Sequence, residues 1–274
     1  MLRRTVFMAL PILVAAAMTA GIAGTAGTAE ATSGSDAGPP YKFTTELVGQ
    51  FVTIPLKDQG MLAKTDLGYR FRTGQQDSHL VVTQVGSRLR FVDTGTKRWK
   101  RLAPACQKER VRVGIAAVCP VPGTISVRRP LLVEIWPRLG NDYTDTSTLP
   151  ATFAVSVLGD KGHDVAHFGA GPDFFNGASG RDVVWGGAGN DWIRAGLGND
   201  VVNGGAGNDD LVAMQGRDNV HGGLGDDRLG GADGDDRLWG DGGADFVLCG
   251  IGQDNVTADR ADRIFYDCEL VANV

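Results

Sequence analysis

From residue 164 to residue 254 an aspartate returns at every ninth position without one insertion. The series is Asp164, Asp173, Asp182, Asp191, Asp200, Asp209, Asp218, Asp227, Asp236, Asp245 and Asp254. Two residues ahead of each stands a glycine: Gly162, Gly171, Gly180, Gly189, Gly198, Gly207, Gly216, Gly225, Gly234, Gly243 and Gly252. Two residues beyond each stands an apolar side chain, from Ala166 and Phe175 through to Val247 and Val256. Eleven consecutive units therefore satisfy G-x-D-x-U, with U apolar. A short period kept this strictly calls for a stack of near-identical structural units.

Six residues of each unit are rich in Gly and Asp, which favours turns and positive φ. The three residues centred on U predict a short strand with one side chain facing inward. The two leading positions are looser: Gly186-Gly187, Gly204-Gly205 and Gly222-Gly223 fit, whereas Ala213-Met214 and Cys249-Gly250 depart. The repeat also explains a charge asymmetry hidden in the net charge of -5. Residues 159–257 hold 17 Asp, no Glu and 6 Lys/Arg, a balance of -11, and 26 of the 40 glycines. Residues 30–158 hold 17 Lys/Arg against 11 Asp/Glu, a balance of +6.

Residues 186–194, Gly-Gly-Ala-Gly-Asn-Asp-Trp-Ile-Arg, carry every specified position of G-G-x-G-x-D-x-U-x. Each unit thus resembles the nonapeptide of RTX proteins, the hemolysin-type calcium-binding repeat. The resemblance implies an all-β fold, a right-handed parallel β-roll (β-solenoid) preceded by a β-rich N-terminal region. It also implies two units per 18-residue coil, so that every second Asp stacks on one edge. Carboxylates spaced by about 4.8 Å repel by roughly 3 kcal/mol at an effective dielectric near 20, so such a ladder needs a cation. Single carboxylates joined by backbone carbonyls suit Ca²⁺, while Zn²⁺ calls for His or Cys. The expected ligands of several calcium ions are the eleven phased aspartates and the carbonyls of the eleven fourth-position glycines, from Gly162 to Gly252. Asp210, Asp226, Asp233 and Asp235 are expected to be solvated, and Asp241 to weaken the turn whose glycine it replaces.

The period fails after Val256, where Arg263 stands at the next Asp position and Asp262 one place early. Residues 258–274 therefore read as a cap on the roll of residues 158–257. Upstream, Gly140-Asn141-Asp142 reads as one degenerate unit, with coiling from near Leu131. Residues 41–157 read as a β-rich domain or as degenerate coils, with strands at Glu46–Ile54, His79–Val85, Arg88–Val92, Val111–Val118 and Leu131–Trp136. Residues 30–40 read as a linker. Arg3 and Arg4, the apolar run Val6–Ala20 and the small residues after it give a cleaved secretory signal over residues 1–29, leaving no transmembrane segment in the mature chain. Four cysteines in an exported chain suggest two disulfides, with Cys106–Cys119 and Cys249–Cys268 favoured among three possible pairings.

No HExxH or GxSxG occurs, and four histidines leave few catalytic constellations. The expected function is a secreted, non-enzymatic calcium-binding protein that folds on meeting calcium outside the cell. One alternative is a hydrolase or carbohydrate-active enzyme in residues 41–157, with paired carboxylates among Glu46, Asp58, Asp66, Asp93, Glu109 and Glu134. Another is an adhesin or matrix protein. A cell-surface or extracellular polymer is a possible partner, and nucleic acid is not expected. Lys97-Arg98-Trp99-Lys100-Arg101 is expected as a solvated loop. His163 and His167 mimic a zinc pair but fall at outward positions, and Phe174, Trp192, Val183 and Trp185 are expected to be covered by the N-terminal half.

Overall fold

The computed structural model describes residues 56–74, 76–265 and 267–273. The segments expected as a secretory signal, a linker and a strand at Glu46–Ile54 lie outside them. Every regular element among the described residues is a β-strand, and the nonapeptides wind into a parallel β-solenoid. No helix there is long and apolar enough to cross a membrane.

A hairpin of β1 (Gln59–Lys64) and β2 (Gly68–Arg72) precedes β3 (His79–Val85). The chain then makes an excursion through β4 (Arg88–Asp93), β5 (Arg98–Leu102), β6 (Gln107–Glu109) and β7 (Ile115–Pro120). It returns to the solenoid at β8 (Leu131–Arg138), β9 (Tyr143–Asp145), β10 (Phe153–Gly159) and β11 (Val165–His167). From β12 (Phe174–Asn176) a strand begins every nine residues, through β13 (Val183–Ala188) and β14 (Trp192–Leu197) to β20 (Phe246–Ile251) and β21 (Asn255–Ala258). Two short strands, β22 (Arg263–Ile264) and β23 (Leu270–Asn273), follow.

Even-numbered strands from β8 to β22 stack in one parallel sheet and odd-numbered strands from β9 to β23 in the other. Successive coils within the repeats align residues 18 apart, as Val184 with Val202 and Val202 with Val220. The parallel stack does not stop at β8. Strand β2 pairs in parallel with β8 and β3 with β9, so the solenoid's first coil is built from Gly68–Arg72 and His79–Val81. The excursion between these coils adds antiparallel strands to the end of one sheet, with β4 lying between β3 and β7. One continuous buried cluster runs from Leu62 to Ala258.

All eleven U side chains are buried, as the pattern requires. The strands, however, extend further than three residues. In the regular coils they run six, as in Val183–Ala188, because the leading Gly-Gly-x of the next unit also pairs with its neighbours. The leading position itself faces inward, where Ala195, Ala213, Cys249 and Ala258 are buried. Space there is short at the glycines: a methyl group on Gly186 would meet the Asp191 Oδ2 atom at 2.5 Å. From Gly177 to Cys249 the position holds only Gly, Ala or Cys, whereas the unit of Asp173 places the buried Phe168 there.

Strands at His79, Arg88 and Leu131 start where the alternation places them. The one expected from Val111 begins only at Ile115. The basic cluster is not a loop: Arg98–Leu102 forms β5, paired in parallel with β1. Its Trp99 packs edge-on against Phe71 and donates Nε1–H to the Ala116 carbonyl at 3.3 Å. Both local disulfides form, Cys106–Cys119 and Cys249–Cys268, the second tying the terminal turn to a side chain inside the roll.

Candidate metal centre

Each nonapeptide turn enters its strand through the phased aspartate, and the turn points that carboxyl group back under the coil. The result is two ladders, one along each edge of the roll. Asp164, Asp182, Asp200, Asp218, Asp236 and Asp254 form one; Asp173, Asp191, Asp209, Asp227 and Asp245 form the other. All eleven side chains are at most 2 % exposed.

The two oxygens of each carboxylate have different fates. Oδ1 accepts a hydrogen bond from the backbone N–H one coil earlier, as from Asp182 N to Asp200 Oδ1 at 2.7 Å and from Asp191 N to Asp209 Oδ1 at 2.8 Å. Oδ2 has no hydrogen-bond partner in any of the eleven. A buried polar atom without a partner costs about 1–3 kcal/mol, and more when charged. Repeating that cost eleven times makes sense only if something else meets those oxygens.

Burial raises the carboxyl pKa along both ladders, and the backbone N–H donors only partly offset it. Asp164, Asp200, Asp209, Asp218 and Asp227 are pushed up to about 6, and Asp182, Asp236 and Asp245 to about 7. Asp191, which also feels Asp173 and Asp209, rises to about 10. Among the described residues no Lys, Arg or His forms a salt bridge with any of the eleven. The ladders are thus rows of buried anions that need either protons or a cation.

The glycines complete the cradle. Ten of the eleven fourth-position glycines have left-handed φ, for example Gly180 at 145° and Gly198 at 142°, while Gly171 does not. A methyl group on Gly198 would run into the Gly180 carbonyl oxygen, so the turns stack with no room for a side chain. Unpartnered carboxylate oxygens beside close-packed carbonyl-bearing turns are a hard, oxygen-only donor set, which fits Ca²⁺. The residues expected from the period are therefore gathered, in order, along two edges.

Several members of these ladders were not legible from the period. Asp262 closes the second, accepting from Asp245 N at 3.0 Å, and Glu269 closes the first, accepting from Asp254 N at 3.1 Å. Each fills the next rung although it is out of phase. The residue before the phased Asp builds an outer ladder of opposite sense: Asn199 Oδ1 accepts from Arg217 N at 2.8 Å, and Asn190 Oδ1 from Asn208 N at 3.0 Å. Asp226 and Asp235 do the same for Ala244 N and Gln253 N, so these exposed acids hold coils together as well as facing water. Asp241 keeps the left-handed turn of the glycine it replaces, φ 67°, and pairs with His221 at 3.0 Å.

The histidines do not form a zinc pair. His163 Nδ1 accepts from Arg181 N at 2.7 Å in a turn, while His167 stacks on Trp185 with ring centroids 4.2 Å apart. Of the outward apolar groups, Phe174 is buried and packs edge-to-face with Trp192, whereas Trp185 remains 39 % exposed.

Comparison with known proteins gives one family: the model for the RTX calcium-binding nonapeptide repeat (4 copies) matches residues 169–202, 176–211, 203–238, 212–247 and 221–256. Neither the curated proteins nor the solved structures yield a match. Periodicity, parallel coils and paired aspartate ladders meet in that finding: across residues 169–256 the chain carries RTX calcium-binding nonapeptide repeats, wound as a β-roll.

Proposed function

We propose that the protein is a secreted calcium-binding β-roll whose two aspartate ladders take up several Ca²⁺ ions, and that this uptake drives folding outside the cell. The observation that carries the reading is the row of eleven buried Oδ2 atoms without partners. The phased aspartates and the carbonyls of the fourth-position glycines would hold the ions. A bound ion supplies positive charge that offsets the repulsion along each ladder. The protein's part is to preorganise one carboxylate oxygen through the backbone N–H of the preceding coil and leave the other for the ion. Two disulfides suit an oxidising extracellular setting.

A non-enzymatic role fits the state of the N-terminal acids. Glu134 is held by Arg70 at 2.9 Å, Glu109 by Arg90 at 2.6 Å and Asp58 by Lys97 at 3.3 Å. Asp93 is buried and accepts from His79 N and the Thr96 hydroxyl. A second reading, attachment to an extracellular polymer, draws on stacked rings along the outer face of one sheet, where His79, Tyr143, His167 and Trp185 follow one another.

The test is a calcium titration of the mature protein by calorimetry, with circular dichroism before and after chelation. Uptake of several ions with a gain of β-structure is expected. Absence of both heat and spectral change would overturn the reading.

A further inference from the structure

The eleven phased aspartates are not alone in their environment. Asp142 lies outside the family match and 22 residues before Asp164, so it breaks the period. Its side chain is only 3 % exposed. Its Oδ1 accepts from Ser78 N at 2.6 Å, its own N–H donates to Asp164 Oδ1 at 3.0 Å, and its Oδ2 has no partner. That is the same division of labour found within the repeats.

The backbone around it matches as well. Gly140, two residues earlier, is left-handed with φ 137°. A methyl group on Gly162 would run into the Gly140 carbonyl oxygen, just as one on Gly180 would run into that of Gly162. Asn141 Oδ1 accepts from His163 N at 2.8 Å, reproducing the outer ladder. The coil between Asp142 and Asp164 is four residues longer than the regular 18, and its turn closes through Thr146 O accepting from Leu149 N at 2.9 Å. Extra residues in that turn leave the stacking of Gly140-Asn141-Asp142 on the next coil unchanged. One coil earlier, Ser78 takes the aspartate position, and the row of carboxylates ends there.

Asp164, Asp77 and Asp93 all act on Asp142 with negative charge, in the direction that opposes its ionisation. Among the described residues no cationic side chain forms a salt bridge with it. Resting on the calcium reading above, we propose that Asp142 and Asp164 hold a further Ca²⁺ ion, outside the nonapeptides, which fastens the first coil and its long excursion to the roll. Ser78, with a neutral side chain, marks where the metal row stops.

The experiment uses the full mature chain. Calcium stoichiometry is measured by calorimetry for the wild type and for Asp142→Asn, which keeps an acceptor oxygen for Ser78 N. Hydrogen exchange at residues 76–81 and 140–146 is followed in both, with and without calcium. The expected result is one ion fewer in the variant, with calcium-dependent protection lost at those two segments and kept across residues 169–256. An unchanged stoichiometry would overturn the inference. If the variant fails to fold, the wild type alone decides. Protection of residues 76–81 that ignores calcium, while residues 169–256 respond, also overturns it. No uptake of calcium by the wild type would instead remove the calcium reading itself.

Discussion

Asp200 sits in the middle of a ladder, and replacing it with Asn separates the roles of its two oxygens. Asp200 Oδ1 accepts from Asp182 N at 2.7 Å, and an amide oxygen can keep that bond. The charge is what disappears. Burial, with a contribution from Asp182, raises this carboxyl from 3.8 to about 6, which corresponds to roughly 3 kcal/mol against the ionised form in the metal-free fold. An unpaired buried amide N–H returns about 1–3 kcal/mol of that as a cost, so the net gain for the metal-free protein above pH 6 is about 1 kcal/mol. The sign of the pH dependence follows from the raised pKa values. The folded metal-free state holds more protons than the unfolded chain, so its stability is full below the ordinary carboxylate range and is lost as pH rises through about 6 to 7. In chelator, β-structure should therefore grow on acidification. For Asp200→Asn the midpoint of that transition should move up by a few tenths of a pH unit, since several protons are taken up together. At pH 8 the same variant should need several-fold more calcium to fold, because a ligand is gone. Circular dichroism follows both titrations, with exposed Asp233→Asn as the control that moves neither. Movement of Asp200→Asn towards lower stability in both titrations would refute the reasoning, because the carboxylate would then act only as a hydrogen-bond acceptor.

Gly198→Ala should lower the thermal midpoint in calcium by an amount equivalent to about 2 kcal/mol or more, because left-handed φ and a clash with the Gly180 carbonyl coincide. Gly123→Ala, with nothing within 4 Å of the new methyl group, should leave the midpoint unchanged, and calorimetry compares the two. Replacing Cys249 and Cys268 together by Ala should cost about 2–4 kcal/mol, and limited proteolysis should then cut first in residues 258–273. Equal protease resistance with and without that disulfide would show that the cap holds by other contacts.

The period made the ladders legible because each rung repeats one local problem: a glycine turn, a carboxylate and one inward side chain. Val184, Ile193 and Val202 are buried for that reason, and no distant contact is needed to foresee it. The local disulfides were equally readable, since each pair lies close along the chain. The rest escaped because it depends on partners of irregular separation. Arg70 meets Glu134 and Ser78 meets Asp142 across 64 residues, so the first coil has no period to reveal it. Asp262 and Glu269 occupy rungs reached in 17 and 15 residues, where the turn is shortened.

By itself the sequence determined the repeating coil, its buried row of apolar side chains and the carboxylates that turn each coil, because these are set within nine residues. Only the tertiary structure decided where the solenoid begins, which out-of-phase acids complete its ladders, and that one oxygen of every phased aspartate is left without a partner. Those are properties of one coil resting on another. A backbone N–H reaches the carboxylate of the next coil whatever the length of chain between them, and so spacing along the chain cannot announce it.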